Sequence, residues 1–466
     1  MPRHRSSAAL LFYASLWLLA AWLVFSDAAA QSFKLMRYDE QYANRRQDSL
    51  PPFYQRLKFK ALSPDSQVYL SVGGEIRLEY ADFTQEDWRR FGIGRNRFLL
   101  QRYALHADWH LGKRVRLFAQ LRSALENGRK NGPRPIDEDQ LNVQNLFAEV
   151  NLLQNQAGRF TLRVGRQEID YGSGRLLSVQ EVPNVRLYFT GVKGMYVHPK
   201  TVVDGFLLMA DSLNVGVFDN KGSGQANLWG LYTHTNLGKN RLIESYYIGI
   251  RRDVSEFEEG IANEVRHTAG LRFAKTRRGL LYNLEVAYQF GRFGQGAIRA
   301  WTLSVDIGYQ IAACKYKPLI GLKHDYISGD RQRGDGRLET FNPLYPKGGY
   351  FGFDPQVGPA NLIDLHPYGS LTLGHALVLQ WDLILNWRYS VQDGIYRPNG
   401  SYNLAGVGST QRYIGTAYLG KLIYEINAFL SVDFGFQYFQ SGPFIRHQVQ
   451  DATNAHFSNT RVVVKF

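Results

Sequence analysis

The chain has 466 residues, a formal net charge of +14, a single cysteine and 14 % aromatic residues, at a mean hydropathy of −0.31. That hydropathy excludes a bundle of transmembrane helices, and the lone Cys314 excludes an internal disulfide and a cysteine-built zinc site. A basic excess points to a polyanionic partner, and the secretory start of the chain favours an acidic polysaccharide or oligosaccharide over nucleic acid.

Arg3 and Arg5 precede an apolar run from Ala8 to Phe25, and Ala28-Ala29-Ala30 follow it. This charged, apolar, small-residue order is that of a secretory signal, which assigns residues 1–30 to a signal peptide. Residues 31–66 are charged, contain Pro51-Pro52 and show no period; they read as a periplasmic lead-in. Residues 67–466 read as one domain in which apolar and polar side chains alternate. In Trp301-Thr-Leu-Ser-Val-Asp-Ile-Gly-Tyr309 every odd position is bulky and apolar, so the strand has one greasy and one wet face. Trp381–Trp387 and Leu430–Phe436 repeat the pattern, with Ile384 a lapse.

Strands are predicted over 68–80, 97–110, 114–123, 143–153, 159–168, 190–198, 202–211, 226–236, 241–252, 264–275, 280–292, 298–312, 315–328, 360–374, 376–391, 411–426, 428–441 and 456–466. That is about eighteen, an even number as bacterial outer-membrane barrels require. The connections sort by parity. Leu111–Lys113, Gln154–Gly158, Pro199–Thr201, Leu237–Asn240, Thr276–Gly279 and Glu425–Asn427 are tight. Segments 81–96, 124–142, 169–189, 329–359, 392–410 and 442–455 are long. Short periplasmic turns alternating with long outer loops describe an all-β fold, a transmembrane antiparallel β-barrel in the outer membrane of a Gram-negative bacterium. Its outward face meets outer-membrane lipid. The last strand ends on Phe466 with Val462 and Val464 at alternate positions, the kind of terminus the barrel-assembly machinery reads.

Parity also assigns faces. Val68, Leu70, Val72, Ile76 and Leu78 face lipid, which turns Glu75, Arg77 and Glu79 inward. The same count turns Arg102, His106, Asp108 and His110 inward on the second strand, Arg116 and Arg122 on the third, Arg163 on the fifth and Arg461 on the last. Closure sets the last strand beside the first, so six arginines share one stretch of lumenal wall. A ladder of guanidinium groups lowers the barrier for an anion. The same arginines paired with Glu75, Glu79, Asp108 and Glu149 would only brace the wall. The apolar Phe341-Asn342-Pro343-Leu344-Tyr345-Pro346 needs a surface to pack on, which predicts that this long loop folds into the barrel mouth as a constriction.

Arg159–Leu176, with its Gly-Arg-Gln…Tyr-Gly…Arg-Leu run, followed by Asn184-Val-Arg186, resembles the signature of the alginate-export porin family. So do Ser328-Gly-Asp330, Asp335–Lys347 and Tyr350-Phe-Gly352. The resemblance implies an eighteen-stranded outer-membrane barrel passing an acidic polyuronate through an arginine-rich lumen. Two features depart from it: the turn at Glu425–Asn427 is minimal where the alginate-secreting member has a plugging loop, and Thr190 stands where an acid is expected. A general anion-preferring porin is the alternative, and a surface adhesin or receptor a third.

No serine lies beside a histidine and an acid in a recognisable motif, so no enzyme is expected. His106, Asp108 and His110 share a face, but neighbours at that spacing are roughly 6.5–7 Å apart and do not converge on one ion without further partners. Asp330 and Asp335 lack the spacing of a calcium loop. No cofactor or metal is expected.

Overall fold

The alternation beginning at residue 68 resolves into eighteen long strands in a computed structural model, which describes residues 33–42, 52–277, 279–374 and 376–466. They are β1 (Val68–Thr84), β2 (Arg95–Leu111), β3 (Val115–Asn127), β4 (Asp139–Asn155), β5 (Gly158–Gln167), β6 (Phe189–Val197), β7 (Thr201–Ser212), β8 (Lys221–Gly238) and β9 (Arg241–Phe257). The second half comprises β10 (Gly260–Lys275), β11 (Gly279–Phe293), β12 (Gly296–Gln310), β13 (Leu319–Ile327), β14 (Leu362–Leu373), β15 (Leu377–Arg388), β16 (Tyr413–Glu425), β17 (Leu430–Ser441) and β18 (Ala455–Lys465). Each pairs antiparallel with the next, and β18 returns to β1 with Glu75 opposite Lys465 and Thr84 opposite His456. The expected signal at 1–30 lies outside the described residues.

Several strands outrun their predicted outer ends. β1 reaches Thr84 and β2 starts at Arg95, where Asp82 takes hydrogen bonds from Arg95 (2.5 Å) and Arg97 (3.1 Å). The ladder continues above the apolar band, but charged pairs have replaced the alternation that marks a strand in sequence. The connections keep the predicted parity, except that the outward turns Glu258-Glu259 and Gly294-Gln295 are as tight as the periplasmic ones. Between β8 and β9, Lys239 and Asn240 both have positive φ (51° and 60°), the two-residue turn whose twist suits a hairpin.

The lumen is filled from both ends. The described part of the expected periplasmic lead-in enters the barrel. Tyr38 sets its ring against Phe118 (5.6 Å) and Phe147 (5.2 Å), and its hydroxyl donates to the Glu168 carbonyl at 2.6 Å. Arg37 donates to the carbonyls of Gly74 and Phe466, each at 3.0 Å. Lys58, fully buried, leaves no room for a side chain at position 73, where a Cβ would lie 2.2 Å from its Nζ.

From the outer side, loops 168–188 and 328–361 fold inward. The inner faces of β7 to β9 carry Phe206, Leu208, Leu228, Ile248 and Ile250, an apolar wall unsuited to water. Ile169, Leu176, Leu177, Phe341 and Leu344 cover it. The lapse Ile384 faces inward and joins the same cluster. Above it, Asp393 ties the cap together: it accepts from Asp330 N (2.9 Å), Thr340 Oγ1 (2.6 Å) and Tyr396 OH (2.7 Å).

Two outcomes follow from these contacts. Phe466 continues the ladder, exchanging hydrogen bonds with Gly74 (2.8 and 3.0 Å), and its ring lies over that glycine. Deleting Phe466 should lower the yield of heat-modifiable barrel in outer-membrane fractions while leaving the conductance of assembled pores alone; an undiminished yield refutes this. In the cap, burial together with Asp393, Glu259 and Asp335 pushes the buried Asp330 carboxyl up to about 7. A proton held in the folded cap and released on opening makes the cap most stable below about pH 4 and progressively weaker towards about pH 7. Asp330→Asn should flatten that slope, read as protease sensitivity of the 328–361 loop across this window. Parallel pH profiles for variant and parent refute it.

Candidate transport path

All six predicted arginines point into the barrel, and every one meets a carboxylate. Arg461 contacts Glu79 at 2.8 Å, Arg116 contacts Asp108 at 2.8 Å and Glu149 at 3.2 Å, and Arg163 contacts Glu149 at 2.5 Å. Arg122 contacts Asp139 at 2.5 Å, and Arg102 contacts Glu75 at 2.9 Å and also Glu181. Arg77 lies 3.7 Å from Glu181 and donates to the carbonyls of Glu181 (2.8 Å) and Pro183 (3.1 Å). Four of these partners, Glu75, Glu79, Asp108 and Glu149, are the ones parity suggested. Glu181 and Asp139 are not.

Glu181 belongs to the 168–188 loop, which lies against the arginine wall. Burial opposes its ionisation, but Arg102, Arg186 and Arg77 outweigh burial and hold the carboxyl well below the usual range. Asn184, fully buried, fastens the loop by donating to the carbonyls of Gln101 (3.0 Å), Leu125 (3.3 Å) and Asp137 (3.0 Å). Arg186 reaches Glu168 at 3.0 Å. At the far end of the loop, Arg175 crosses to Asp325 at 2.7 Å, and Tyr350 donates to the same acid at 2.6 Å. The 159–186 motif is thus a loop clamped to two walls.

Open space remains on the other side. A cavity of about 640 Å³ is bounded by the inward loops and by β13 to β18, and Lys323, Lys347, Lys421 and Arg461 line it against Asp170, Glu181 and Asp382. Lys323 lies 3.7 Å from Asp382 and Lys421 3.2 Å from Asp433. A smaller cavity of about 160 Å³ lies nearer the outer mouth; Gln180, Val182 and Phe353 line both. Of the six wall arginines, Arg461 alone borders the larger cavity. Lys323 and Lys421 take inward positions of their strands by the same alternation that turns the arginines inward. Nothing local in the sequence marks Lys347.

Phe341, Asn342 and Tyr345 lie inside the barrel. Asn342 accepts from Gln289 Nε2 through its carbonyl (2.7 Å) and donates its backbone N–H to Gln289 Oε1 (2.9 Å). Tyr345 pairs its backbone with the 168–188 loop through Leu176 (2.8 Å) and Ser178 (2.9 Å). His106 stacks on Phe118 (5.5 Å), while Asp108 is committed to Arg116 and lies 3.3 Å from His110. Among the described residues no group of histidines and acids converges on a metal position. Thr190 donates to Asp211 at 3.2 Å.

The sequence profile described as alginate export matches residues 68–459. The fold is similar to that of Pseudomonas aeruginosa OccK3 (OpdO), with a TM-score of 0.56 and 13 % identity over 85 % of this chain and 95 % of that one. It is similar also to the outer membrane protein opdK of Pseudomonas aeruginosa (TM-score 0.57, 12 % identity, 85 % and 98 % covered). A BenF-like porin from Pseudomonas fluorescens Pf-5 aligns comparably (TM-score 0.55, 10 % identity, 85 % and 98 % covered). Among curated proteins no sequence matches. With the profile covering every strand but the second half of β18, the chain belongs to the alginate-export family and is an outer-membrane β-barrel channel of a Gram-negative bacterium.

Proposed function

We propose that the barrel gives passive, anion-preferring passage to an acidic polysaccharide or oligosaccharide of the polyuronate class. The observation that carries this reading is the cation set on the lumenal cavity of about 640 Å³: Lys323, Lys347, Lys421 and Arg461. An ammonium or guanidinium group in a wet channel attracts a carboxylate, and several weak stations let it move on. In this reading Arg461 lines the path. Arg77, Arg102, Arg116, Arg122 and Arg163 serve it from behind, by holding the 168–188 loop and the N-terminal segment in place. Membership of the alginate-export family supports a uronate cargo. The loop bearing Phe341, Asn342 and Tyr345 is proposed to narrow the path, and Phe466 to be the residue the assembly machinery reads.

A second reading, a general anion-preferring porin for small solutes, draws on the crowding of the lumen. The inward loops leave cavities of about 640, 220 and 160 Å³ rather than one wide bore.

Charge reversal on the path separates from charge loss behind it. Lys323→Glu, Lys421→Glu and Arg461→Glu should each move the bilayer reversal potential under a salt gradient towards cations and weaken block by oligouronates. Arg122→Ala should instead strand the buried Asp139, costing about 3–5 kcal/mol of stability on the scale of a broken buried pair. If the lysine variants leave selectivity at the parent value, the path is misassigned. Block by monomeric acids but not by oligouronates would favour the small-solute porin. Removing the 328–361 loop should raise single-channel conductance; parental conductance in an assembled deletion places the restriction elsewhere.

A further inference from the structure

The outward face of β9 to β12 is ordered by depth. Strand register sets Leu271, Val286 and Leu303 side by side, all exposed to the surroundings of the barrel. Two residues nearer the outer mouth, Tyr247, Ala269, Tyr288 and Trp301 form the next row. After it come Trp229, Gly249, His267, Phe290 and Arg299. The last row reads Arg251, Val265, Arg292, Ala297 and Arg337, each opposite the next across β9, β10, β11, β12 and the short strand Arg337–Leu338. Aliphatic, aromatic and cationic rows in that order are the profile of a membrane interface, with aromatic rings at headgroup level. Strands are spaced about 4.8 Å apart, so alternate arginines of the last row stand roughly 10 Å from one another.

These arginines differ from those inside. Each of the six wall arginines has a carboxylate, whereas Arg292, Arg299 and Arg337 are exposed and make no side-chain ion pair among the described residues. Arg251 makes only a long contact with Asp253, 3.4 Å, with 64 % of its side chain exposed. The other acids of this rim are occupied or turned away: Glu259 accepts from Gly334 N at 2.9 Å and Asp335 from Arg337 N at 2.9 Å. Arg292 and Arg337 share the last row and Arg299 lies one row deeper; Glu339, the acid within electrostatic reach of Arg337, is already held by Arg331 at 2.6 Å, so these gathered guanidinium groups repel one another unless an anion joins them. Directly above an aromatic girdle, the anions at hand are lipid headgroups.

We propose that Arg292, Arg299 and Arg337, flanked by Arg251, form a docking site for the phosphate groups of a phosphorylated outer-leaflet glycolipid. The acyl chains lie along Leu271, Val286 and Leu303, the sugar rests at the level of Tyr288, Phe290 and Trp301, and the phosphates bridge adjacent arginines through paired N–H donors. The site faces away from the lumen and is independent of what the channel carries.

The test uses the full barrel in mild detergent and native mass spectrometry with bis-phosphorylated lipid A. The parent should retain the lipid. Affinity should fall about tenfold or more in the Arg292→Gln/Arg299→Gln/Arg337→Gln variant, the scale of three basic side chains at a charged lipid surface. An equal fall is expected when the parent meets the same lipid stripped of its phosphates, while heat-modifiable mobility certifies the variant's fold. Equal binding of phosphorylated and stripped lipid by the parent overturns the proposal, as does parental affinity in the folded variant. Displacement of the lipid by oligouronates would reassign the row to capture of cargo. If the variant does not assemble, the stripped-lipid comparison on the parent decides alone.

Discussion

The pairing of β1 with β18 is the contact on which the rest of the molecule depends. Inside a bilayer no water is present to satisfy a free strand edge, and each unpaired N–H or C=O costs several kcal/mol, so a sheet crosses a membrane only when closed. Here β18 pairs with β1 from Glu75 to Thr84 and then ends. The periplasmic part of the β1 edge is covered by other means. Phe466 bonds Gly74, and the chain before β1 doubles back to pair Lys60 with Leu70 and Ala61 with Tyr69. The N-terminal segment therefore completes the barrel as well as entering it.

Closure turns a period of two into an inside and an outside. Inside, it brings together charges that no local pattern relates. Arg77 and Arg102 come from adjacent strands, yet both are answered by Glu181, from a loop 104 and 79 residues further on. Buried ion pairs fix geometry more than they add stability, because desolvation offsets much of the attraction. Their result here is a loop with one position available to it: Asn184 and Arg186 on one wall, Arg175 on Asp325 across the lumen. With that loop fixed, the β7 to β9 wall can be apolar, and Phe341 and Leu344 find the dry surface that their composition demands. The strand residues that still border the larger cavity then all lie on the β13 to β18 side.

Outside, the same closure spreads side chains by depth. Tyr288 and Trp301 are neighbours only because β11 and β12 pair in one register, and a slip of one residue in either strand would send its aromatic ring into the lumen. The register is held by the tight turn Gly294-Gln295 that joins the two strands. Arg77, Arg102 and Arg122 thus meet acids within the lumen, whereas Arg292, Arg299 and Arg337 stay exposed at and above the aromatic girdle.

Much of this was legible in the sequence. Alternation is a local property, and it located the eighteen strands and the lumenal side of Arg77, Arg102, Arg116, Arg122, Arg163 and Arg461; apolar composition in a long loop pointed Phe341 to Pro346 inward. Turn length told the two ends of the barrel apart. Strand ends were misjudged wherever ladder pairing continues past the bilayer, as at Asp82 and Arg95, because charged pairs carry no alternation. What only the tertiary structure decided is which partner each charge meets. That choice depends on loops brought to the wall by closure and by apolar burial, over separations that periodicity does not reach. The entry of Tyr38 into the lumen, the neutralisation of the arginine wall by Glu181 and Asp139, and the place of Lys347 on the open cavity are all of this kind. A two-residue period tells a side chain which face it takes; the energy of a charge on that face is set by atoms a few ångströms away that arrive from elsewhere in the chain.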